Sequence, residues 1–486
     1  MTDETARSAR EADDATRGSA VKLAAEVASR LLGLVTTLLL LRGLGASDFG
    51  RFGVLSVYAL LLAELGELGL QALASRALVA GTLSLGSLVR ARLVLAAVVT
   101  AVAVASVPLA PALAGRLGGR TVDGPVLALL VVWFALSGWG EFMGVALRCR
   151  RARRLEAGLL LVLRGGALVL AAAALLLGMG LRGVSGALAV SPLPALALGA
   201  MLLRRTTPPV AGPSVSPAAV LRESAPLAVH GGLLLLSPRV EFLVLSWLLA
   251  DREAVGLFYA ALNVVWFLSM APSAVAAGAM PALTREALRG GGSVRRRTSA
   301  TLALIGAPAG VGLALVAGEV AVLLLGPGYA PAGYAAAAGL LRLLSAAVPA
   351  LFLNALILAS LIAAGRASWL PRITAARVSL AFTLALGLVP LLGSRGAVLG
   401  LVVSEWLLLA LGAAACRRAS FAVPVVRPLA WALVACVPMA LAVSGVSGSL
   451  AFAVPVGVLS WAATLAAAWR LLPGVAGGLV GVLRYP

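Results

Sequence analysis

Residues 156–178 read EAGLLLVLRGGALVLAAAALLLG, an apolar run that follows the cluster Arg150, Arg151, Arg153 and Arg154. A helix needs about 20 apolar residues to cross a bilayer, so this run predicts a membrane span. Similar runs, bounded by arginine, glycine and proline, recur along the 486 residues. The chain is 61% hydrophobic and 12% charged, whereas soluble domains are about 25% charged. This composition excludes a soluble enzyme, a disordered chain and a disulfide-stapled secreted domain.

The apolar runs predict an all-α polytopic membrane protein with about 14 transmembrane helices. Segments exposed to lipid must satisfy their own backbone polar groups, which favours helices, and the runs are too continuous for the alternating strands of a barrel. The predicted spans are 19–41, 52–74, 90–112, 126–147, 156–178, 183–203, 226–249, 255–280, 299–325, 334–363, 370–392, 396–415, 428–445 and 449–471.

The distribution of basic residues supports this count. With the N-terminus inside, twenty-seven of the 39 Lys and Arg residues fall on the inner side, seven on the outer side and five within spans. This is the bias that the positive-inside rule predicts. We therefore expect a multi-pass protein of the cytoplasmic (inner) membrane with both termini in the cytoplasm. Arginines beside spans also explain the formal charge of +20 without a nucleic-acid partner.

The chain divides into two halves in this interpretation. The connection 204–225 carries Pro208, Pro209, Pro213 and Pro217, and the stretch 44–52 (LGASDFGRF) is echoed by 249–258 (LADREAVGLF) at the corresponding place in the second half. Duplicated halves are a common transporter plan. The predicted parts are a disordered cytoplasmic tail at 1–18, a first half at 19–203, a cytoplasmic linker at 204–225, a second half at 226–415 and a C-terminal segment at 416–486 with two further helices and a tail.

The sequence lacks the motifs of several kinds of catalytic and metal-binding site. Lys22 is the single lysine, and no glycine-rich loop ends in Gly-Lys-Ser/Thr, so a P-loop ATPase is excluded. The single histidine and the three distant cysteines form no zinc motif. We expect no metal, no cofactor and no enzymatic activity.

A series of short stretches runs in order along nearly the whole chain: SRLLG (29–33), RGLGASDFG (42–50), ELGLQAL (67–73), PRVE (238–241), VGLFYAA (255–261), MP (280–281), LGPGY (325–329), AGR (364–366) and GSRGA (393–397). Together they resemble the polysaccharide (O-antigen and exopolysaccharide) flippases of the multidrug/oligosaccharidyl-lipid/polysaccharide exporter superfamily. The resemblance implies two six-helix bundles plus two C-terminal helices, and an alternating-access carrier of polyprenyl-pyrophosphate-linked glycans. Where that family often has Arg-x-Asp in the seventh span, this chain has Arg239-x-Glu241.

Charges within spans are the candidate site residues. A charge inside the membrane costs at least about 2.5–3.5 kcal/mol and persists where it meets a cavity, a partner or a substrate. Arginine keeps its charge at any depth, and its planar donor fork suits phosphate oxygens. We predict that a cationic central cavity binds the pyrophosphate through Arg239, Arg164, Arg377, Arg30 and Arg342. Arg239 ranks first because Pro238 favours a broken helix beside it.

Internal pairing is the alternative explanation for these charges. Glu26 and Arg30 are four apart on one helix face and can pair, whereas Arg239 and Glu241 are two apart and each needs another partner. Glu64 and Glu67 are three apart and are expected to share a face, and Glu405 is expected to neutralise an arginine of the second half. The predicted cavity acids or ion-coupling residues are Glu241, Glu67, Glu64, Glu141 and Glu405.

The leading hypothesis is a flippase that moves a lipid-linked oligosaccharide to the outer leaflet for surface polysaccharide biosynthesis. Its expected partners are the lipid-linked glycan, membrane lipid and, beyond these, polysaccharide polymerase and export proteins. Three alternatives stay open: a cation-coupled drug exporter, a lipid II flippase and, in a different class, a membrane glycan polymerase or glycosyltransferase. The enzyme class usually carries a large outer loop or a carboxylate pair near the outer surface, and the outer loops predicted here are short.

Overall fold

The computed structural model describes residues 2–67, 69–106, 123–150, 152–206, 212–327, 329–446 and 450–471. Every regular element among these residues is an α-helix or a short 3-10 turn. Eleven helical segments of the described chain are long and apolar enough to cross a membrane. The prediction of an all-α polytopic membrane protein is therefore confirmed, while the count of about 14 spans stays a prediction.

Some apolar segments are longer than one crossing requires. Ala25–Glu64 has 40 residues, which at 1.5 Å per residue is about 60 Å, twice the hydrocarbon thickness of about 30 Å. Gly45 interrupts this helix with φ 75° and ψ 164°, a conformation that glycine adopts without a Cβ penalty. The break falls between the two predicted spans 19–41 and 52–74, so this segment consists of two helices joined by a kink at Gly45.

The chain separates into two compact units, unit 1 at residues 1–235 and unit 2 at residues 236–486. In unit 1 the helices are α1 Thr2–Leu65, α2 Leu70–Ala80, α3 Leu85–Ser106, α4 Gly124–Cys149, α5 Arg153–Leu176, α6 Gly180–Val190 and α7 Leu193–Arg205, followed by α8 Pro217–Leu236. In unit 2 they are α9 Val240–Leu248, α10 Arg252–Leu268, α11 Met270–Arg289, α12 Ser293–Leu315, α13 Ala317–Leu325, α14 Pro331–Ser345, α15 Val348–Ala363, α16 Leu370–Leu392, α17 Ser394–Arg418, α18 Val426–Ser444 and α19 Leu450–Leu471.

Two predicted segments have more structure than expected. Helix α1 begins at Thr2, so residues 2–18 are helical rather than a disordered tail, because alanine, glutamate and arginine in this stretch are strong helix formers. In the predicted linker 204–225, residues 207–211 lie outside the described residues. The remainder packs on unit 1, since Val220 is buried in a cluster with Leu70 and Leu88, and Arg90 donates to Ser214 at 2.6 Å.

Two breaks in helices position the charged residues discussed below. In unit 1, α1 ends at Leu65 and α2 begins at Leu70, with Gly69 in a left-handed conformation at φ 69°. At the start of unit 2, a 3-10 turn at Ser237–Arg239 separates α8 from α9. Pro238 lies in this turn, which agrees with the predicted broken helix.

Candidate functional site

A buried ion cluster occupies the interior of unit 2. The Arg377 side chain is 1% exposed, and its Nη2 atom lies 3.1 Å from Glu241 Oε1 and 2.8 Å from Glu405 Oε1. The predictions that Glu241 needs a partner other than Arg239, and that Glu405 neutralises an arginine of the second half, are both confirmed. One guanidinium thus links α16 to α9 and α17.

Neutral side chains add hydrogen bonds to this cluster. Arg377 Nη1 donates to the Ser237 hydroxyl at 3.0 Å, and the Ser404 hydroxyl donates to Glu241 Oε1 at 3.2 Å. Asn354 Nδ2 donates to Glu405 Oε2 at 3.0 Å. Ser237 is available because the turn at Pro238 stops the helix there. These contacts fix Arg377 between two carboxylates, so its guanidinium is not open to a phosphate group.

Arg239 points away from this cluster. It lies two residues from Glu241 in the turn before α9, and its guanidinium stacks over the Trp266 ring of α10 at 5.3 Å from the ring centre. The side chain is half-buried. A cation held over an aromatic face gains about 0.5–2 kcal/mol and keeps donors on the edge of its plane. The stacking therefore holds Arg239 in a fixed position against α10.

A second charged site lies in unit 1, between α4 and α5. Arg164 Nη2 is 2.7 Å from Glu141 Oε1, and the two side chains are 37% and 36% exposed. Arg164 is near the middle of the helix Arg153–Leu176, at the depth where hydrocarbon is most unfavourable to a charge. A pair that is both mid-span and accessible implies that this part of unit 1 faces water or a polar ligand.

A similar accessible pair lies in α1. Arg30 Nη2 contacts Glu26 Oε1 at 3.0 Å, and both side chains are exposed, which confirms the predicted four-residue pairing. Arg342, in the last turn of α14, is also exposed, and none of the ion pairs found among the described residues involves it. The five predicted arginines thus fall into one buried ion cluster, two accessible pairs, one stacked cation and one exposed cation.

The break between α1 and α2 contains a buried ion pair that the sequence analysis missed. Glu67 lies in the break and pairs with Arg92 of α3, whose guanidinium stacks over Trp139 at 4.9 Å and Phe142 at 5.1 Å. Glu64 lies in the last turn of α1 and Glu67 in the break that follows, where the Glu67 N–H donates to the Glu64 carbonyl at 2.9 Å. That the two carboxylates share a face stays a prediction. Arg92 lies in the second turn of α3, which begins at Leu85, and its side chain is buried.

Gly138 of α4 makes room for this pair, and its replacement gives a testable prediction. A Cβ atom at Gly138 would fall on Glu67 Oε1 and lie 2.9 Å from Arg92 Nη2. We expect G138A to destabilise the protein by about 1–3 kcal/mol, the usual cost of overpacking, because both clashing atoms belong to a fixed ion pair. The measurement is the midpoint of thermal unfolding in detergent.

The control for this prediction is G140A, two residues further along α4. A Cβ there would meet only the flexible end of Leu163, at 3.4 Å, and would gain the same helix propensity. Equal unfolding midpoints for G138A and G140A would contradict the prediction.

Tyr329 tethers the connection between α13 and α14 to the start of α10. Its hydroxyl donates to Glu253 Oε1 at 2.9 Å. Partial burial, followed by this hydrogen bond, raises the pKa of Tyr329 to about 12. The folded state therefore favours the protonated phenol. The stabilisation from this hydrogen bond is fully present below the ordinary tyrosine pKa of about 10, and it is lost as the pH rises through about 12.

The described residues contain no group of three or more His, Cys, Asp or Glu side chains able to hold a metal ion. Cys149, Cys416 and Cys436 are free thiols and are buried. The accessible arginines are able to bind anions. The buried ion pairs hold neighbouring helices together.

A family model described as polysaccharide biosynthesis protein matches residues 15–285, more than half of the chain. The chain belongs to this family. The resemblance to polysaccharide flippases of the exporter superfamily is thereby confirmed at the level of the family. The sequence matches no curated protein.

Solved structures with a similar fold are transporters. The family member described here matches a lipid II flippase, MurJ, in an inward closed conformation, with TM-score 0.73 and 12% identity over 92% of this chain and 98% of that one. It also matches an inward-facing multidrug resistance MATE transporter of the MOP superfamily, with TM-score 0.63 and 19% identity over 81% and 94% of the two chains. The Vibrio cholerae MATE transporter VcmN in the bent form matches with TM-score 0.54 and 16% identity over 83% and 98%. At these identities the likeness concerns the fold.

Polar residues of this family member that contribute to the charged sites described above without having been predicted include Arg92, Ser237, Asn354 and Ser404. Arg92 lies at the edge of an apolar run, where an arginine is normally assigned to the membrane surface. The aromatic residues at 139 and 142, three apart on one helix face, were the available signal for a stacked cation, but the sequence did not place them beside α3. Ser237 and Asn354 carry no charge and follow no motif.

Proposed function

We propose that this protein is a secondary transporter that flips polyprenyl-pyrophosphate-linked oligosaccharide across the cytoplasmic membrane for surface polysaccharide biosynthesis. It works by alternating access, opening to one side of the membrane at a time. The family assignment gives the general process. The observation that carries the substrate class is the accessible Arg164–Glu141 pair in the middle of two membrane helices.

The argument from Arg164 rests on the cost of an accessible charge in a span. A guanidinium exposed to hydrocarbon would cost several kcal/mol, about 2.5–3.5 even on insertion scales. Glu141 occupies one side of the guanidinium, and the exposed remainder offers further N–H donors. A pyrophosphate that leaves water needs such charge-assisted donors to replace its hydration. Arg164 is therefore the first of the arginines that we propose to contact the substrate.

Arg239, Arg30 and Arg342 are the other proposed contacts. Each retains accessible guanidinium surface, in contrast to Arg377, which is enclosed by Glu241 and Glu405. We therefore assign Arg377 and its two carboxylates to the internal stability of unit 2. Glu67, paired with Arg92, has a similar structural role in unit 1. Glu141 remains at the proposed site as the partner of Arg164, and Glu64 stays a proposed cavity acid.

An apolar groove in unit 2 suits the prenyl chain of such a substrate. It has a volume of about 530 Å³ and runs along α12, α18 and α19. Its walls are almost entirely aliphatic. A polyisoprenoid chain would meet surroundings like those of lipid, whereas a hydrophilic molecule would find few hydrogen-bond partners. Residues along the groove include Leu268, Leu304, Pro308, Met439, Val454 and Trp461.

A drug exporter is less well supported by the charges. A cationic drug needs a carboxylate without a fixed cation, yet Glu67, Glu141, Glu241 and Glu405 each pair with an arginine. A lipid II flippase is the second candidate, and the TM-score of 0.73 to a lipid II flippase favours it. Lipid II also carries a prenyl pyrophosphate, so both candidates use the same proposed contacts and differ in the glycan.

The test is deletion of the gene followed by analysis of lipid-linked glycans on the two faces of the membrane. We expect a lipid-linked oligosaccharide to accumulate in the inner leaflet and a surface polysaccharide to disappear, and complementation with the intact chain to reverse both. Accumulation of lipid II with arrest of cell-wall synthesis would instead establish the second candidate. Normal surface glycan and no accumulated intermediate would reject both.

A further inference from the structure

A cavity of about 420 Å³ lies at one end of unit 2, where three interhelical connections meet. The connections are 290–292 between α11 and α12, 364–369 between α15 and α16, and 419–425 between α17 and α18. This is the end that carries the arginine clusters, which the positive-inside rule assigns to the cytoplasm. The cavity has room for about a dozen water molecules at roughly 30 Å³ each, which is the scale of a lipid headgroup and far below that of a glycan.

The floor of the cavity is a buried ion pair. Arg295 Nε lies 3.1 Å from Glu286 Oε1, and both side chains are buried. Glu286 also accepts the Val294 N–H, and Arg295 donates to the Gly291 carbonyl. The guanidinium stacks over Phe421 at 4.8 Å. The floor is thus rigid and electrically neutral, and it ties the first connection to the third.

The rim of the cavity is cationic. Arg366 lines it and is exposed, and no ion pair of the described residues involves Arg366. In the segments 285–297, 364–372 and 417–427, which contain the three connections, there are ten arginines and a single acid, Glu286. Since Glu286 is already neutralised by Arg295, the field at the mouth of the cavity is strongly positive.

A phosphate group attached to a lipid matches this arrangement. Anionic lipids concentrate in the cytoplasmic leaflet, and basic pockets between helix ends on that side bind their headgroups. The exposed guanidinium of Arg366 supplies a donor fork that fits phosphate oxygens, and the cavity behind it accepts the polar alcohol of the headgroup. We propose that this cavity is a binding site for the phosphate-bearing headgroup of an anionic phospholipid, separate from the proposed transport site.

The test measures lipid binding rather than transport, so it is independent of the proposed function. The full chain is purified in detergent, and its affinity for short-chain phosphatidylglycerol is compared with that for phosphatidylcholine of the same chain length by native mass spectrometry. We expect R366Q to weaken phosphatidylglycerol binding by about tenfold, the usual effect of losing one charge-assisted contact. Phosphatidylcholine binding is expected to stay unchanged.

The matched control is R372Q, which removes the same charge from the same end of unit 2. Arg372 is exposed but does not line the cavity. We therefore expect R372Q to change the affinity for phosphatidylglycerol by less than about twofold. Equal losses in R366Q and R372Q would mean diffuse attraction and would overturn the proposal. A287F fills the cavity without altering charge and is expected to reproduce the loss.

Inorganic phosphate distinguishes a lipid site from a site for the free anion. We expect phosphate to compete with phosphatidylglycerol only weakly, since it lacks the acyl chains that partition beside the helices. Displacement of the lipid by phosphate at a similar concentration, or unaltered binding in both R366Q and A287F, would overturn the assignment to a phospholipid.

Discussion

Replacing Arg377 with methionine is expected to lower the free energy of unfolding of unit 2 by about 3–5 kcal/mol, the usual cost of breaking a buried ion pair from one side. The substitution preserves much of the side-chain volume but leaves Glu241 and Glu405 buried without a cation. Two carboxylates then repel each other in an environment that does not hydrate them. The change is measured as a lower midpoint of thermal unfolding in detergent.

The stability of other variants separates this mechanism from a loss of packing. E241Q removes one of two negative charges and leaves Arg377 paired one-to-one with Glu405, so we expect it to be much milder than R377M. The triple variant R377M/E241Q/E405Q is expected to recover most of the loss, because no buried charge remains. R342M, the same substitution at an exposed arginine, serves as the control. An unfolding midpoint for R377M equal to that of R342M would show that the cluster is not a stabilising element.

Replacing Arg164 with alanine is expected to reduce transport of the lipid-linked glycan by about ten- to hundredfold. A hydrogen bond to a charged group is worth about 1.5–3 kcal/mol, and each 1.4 kcal/mol is a factor of ten in affinity. R164K is expected to have an intermediate effect, because lysine keeps the charge and loses the planar fork. The measurement is translocation of the glycan lipid in membrane vesicles, normalised to folded protein.

Two further variants distinguish substrate contact from structural pairing. R148A also breaks an ion pair between α4 and α5, that of Arg148 with Glu156 at 2.5 Å, but at the helix ends, so we expect normal transport per folded molecule. The exchanged pair E141R/R164E restores an ion pair in the same place. Full transport by the exchanged pair would show that Arg164 acts only as a structural partner of Glu141 and would remove it from the proposed site.

Much of the fold follows from local sequence. An apolar run of about 20 residues with arginines at its ends has one stable arrangement in a bilayer, so residues 156–178 predict α5 closely, at Arg153–Leu176. The proline at 238 likewise predicts a break, because it alters the backbone at its own position. The pairing of Glu26 with Arg30 was predictable for the same reason, since both lie on one turn of one helix.

The roles of the remaining charges were decided by tertiary structure. The sequence by itself indicated which arginines and glutamates lie within apolar runs, because the cost of a charge in the membrane limits their number and makes each one noticeable. It did not determine that Arg377 meets both Glu241, 136 residues away, and Glu405 of the neighbouring helix α17. Nor did it determine that Arg164 meets one glutamate and remains accessible. Ion pairs between helices depend on helix rotation and on breaks such as that at Glu67, and a few degrees of rotation about the helix axis change which side chains meet.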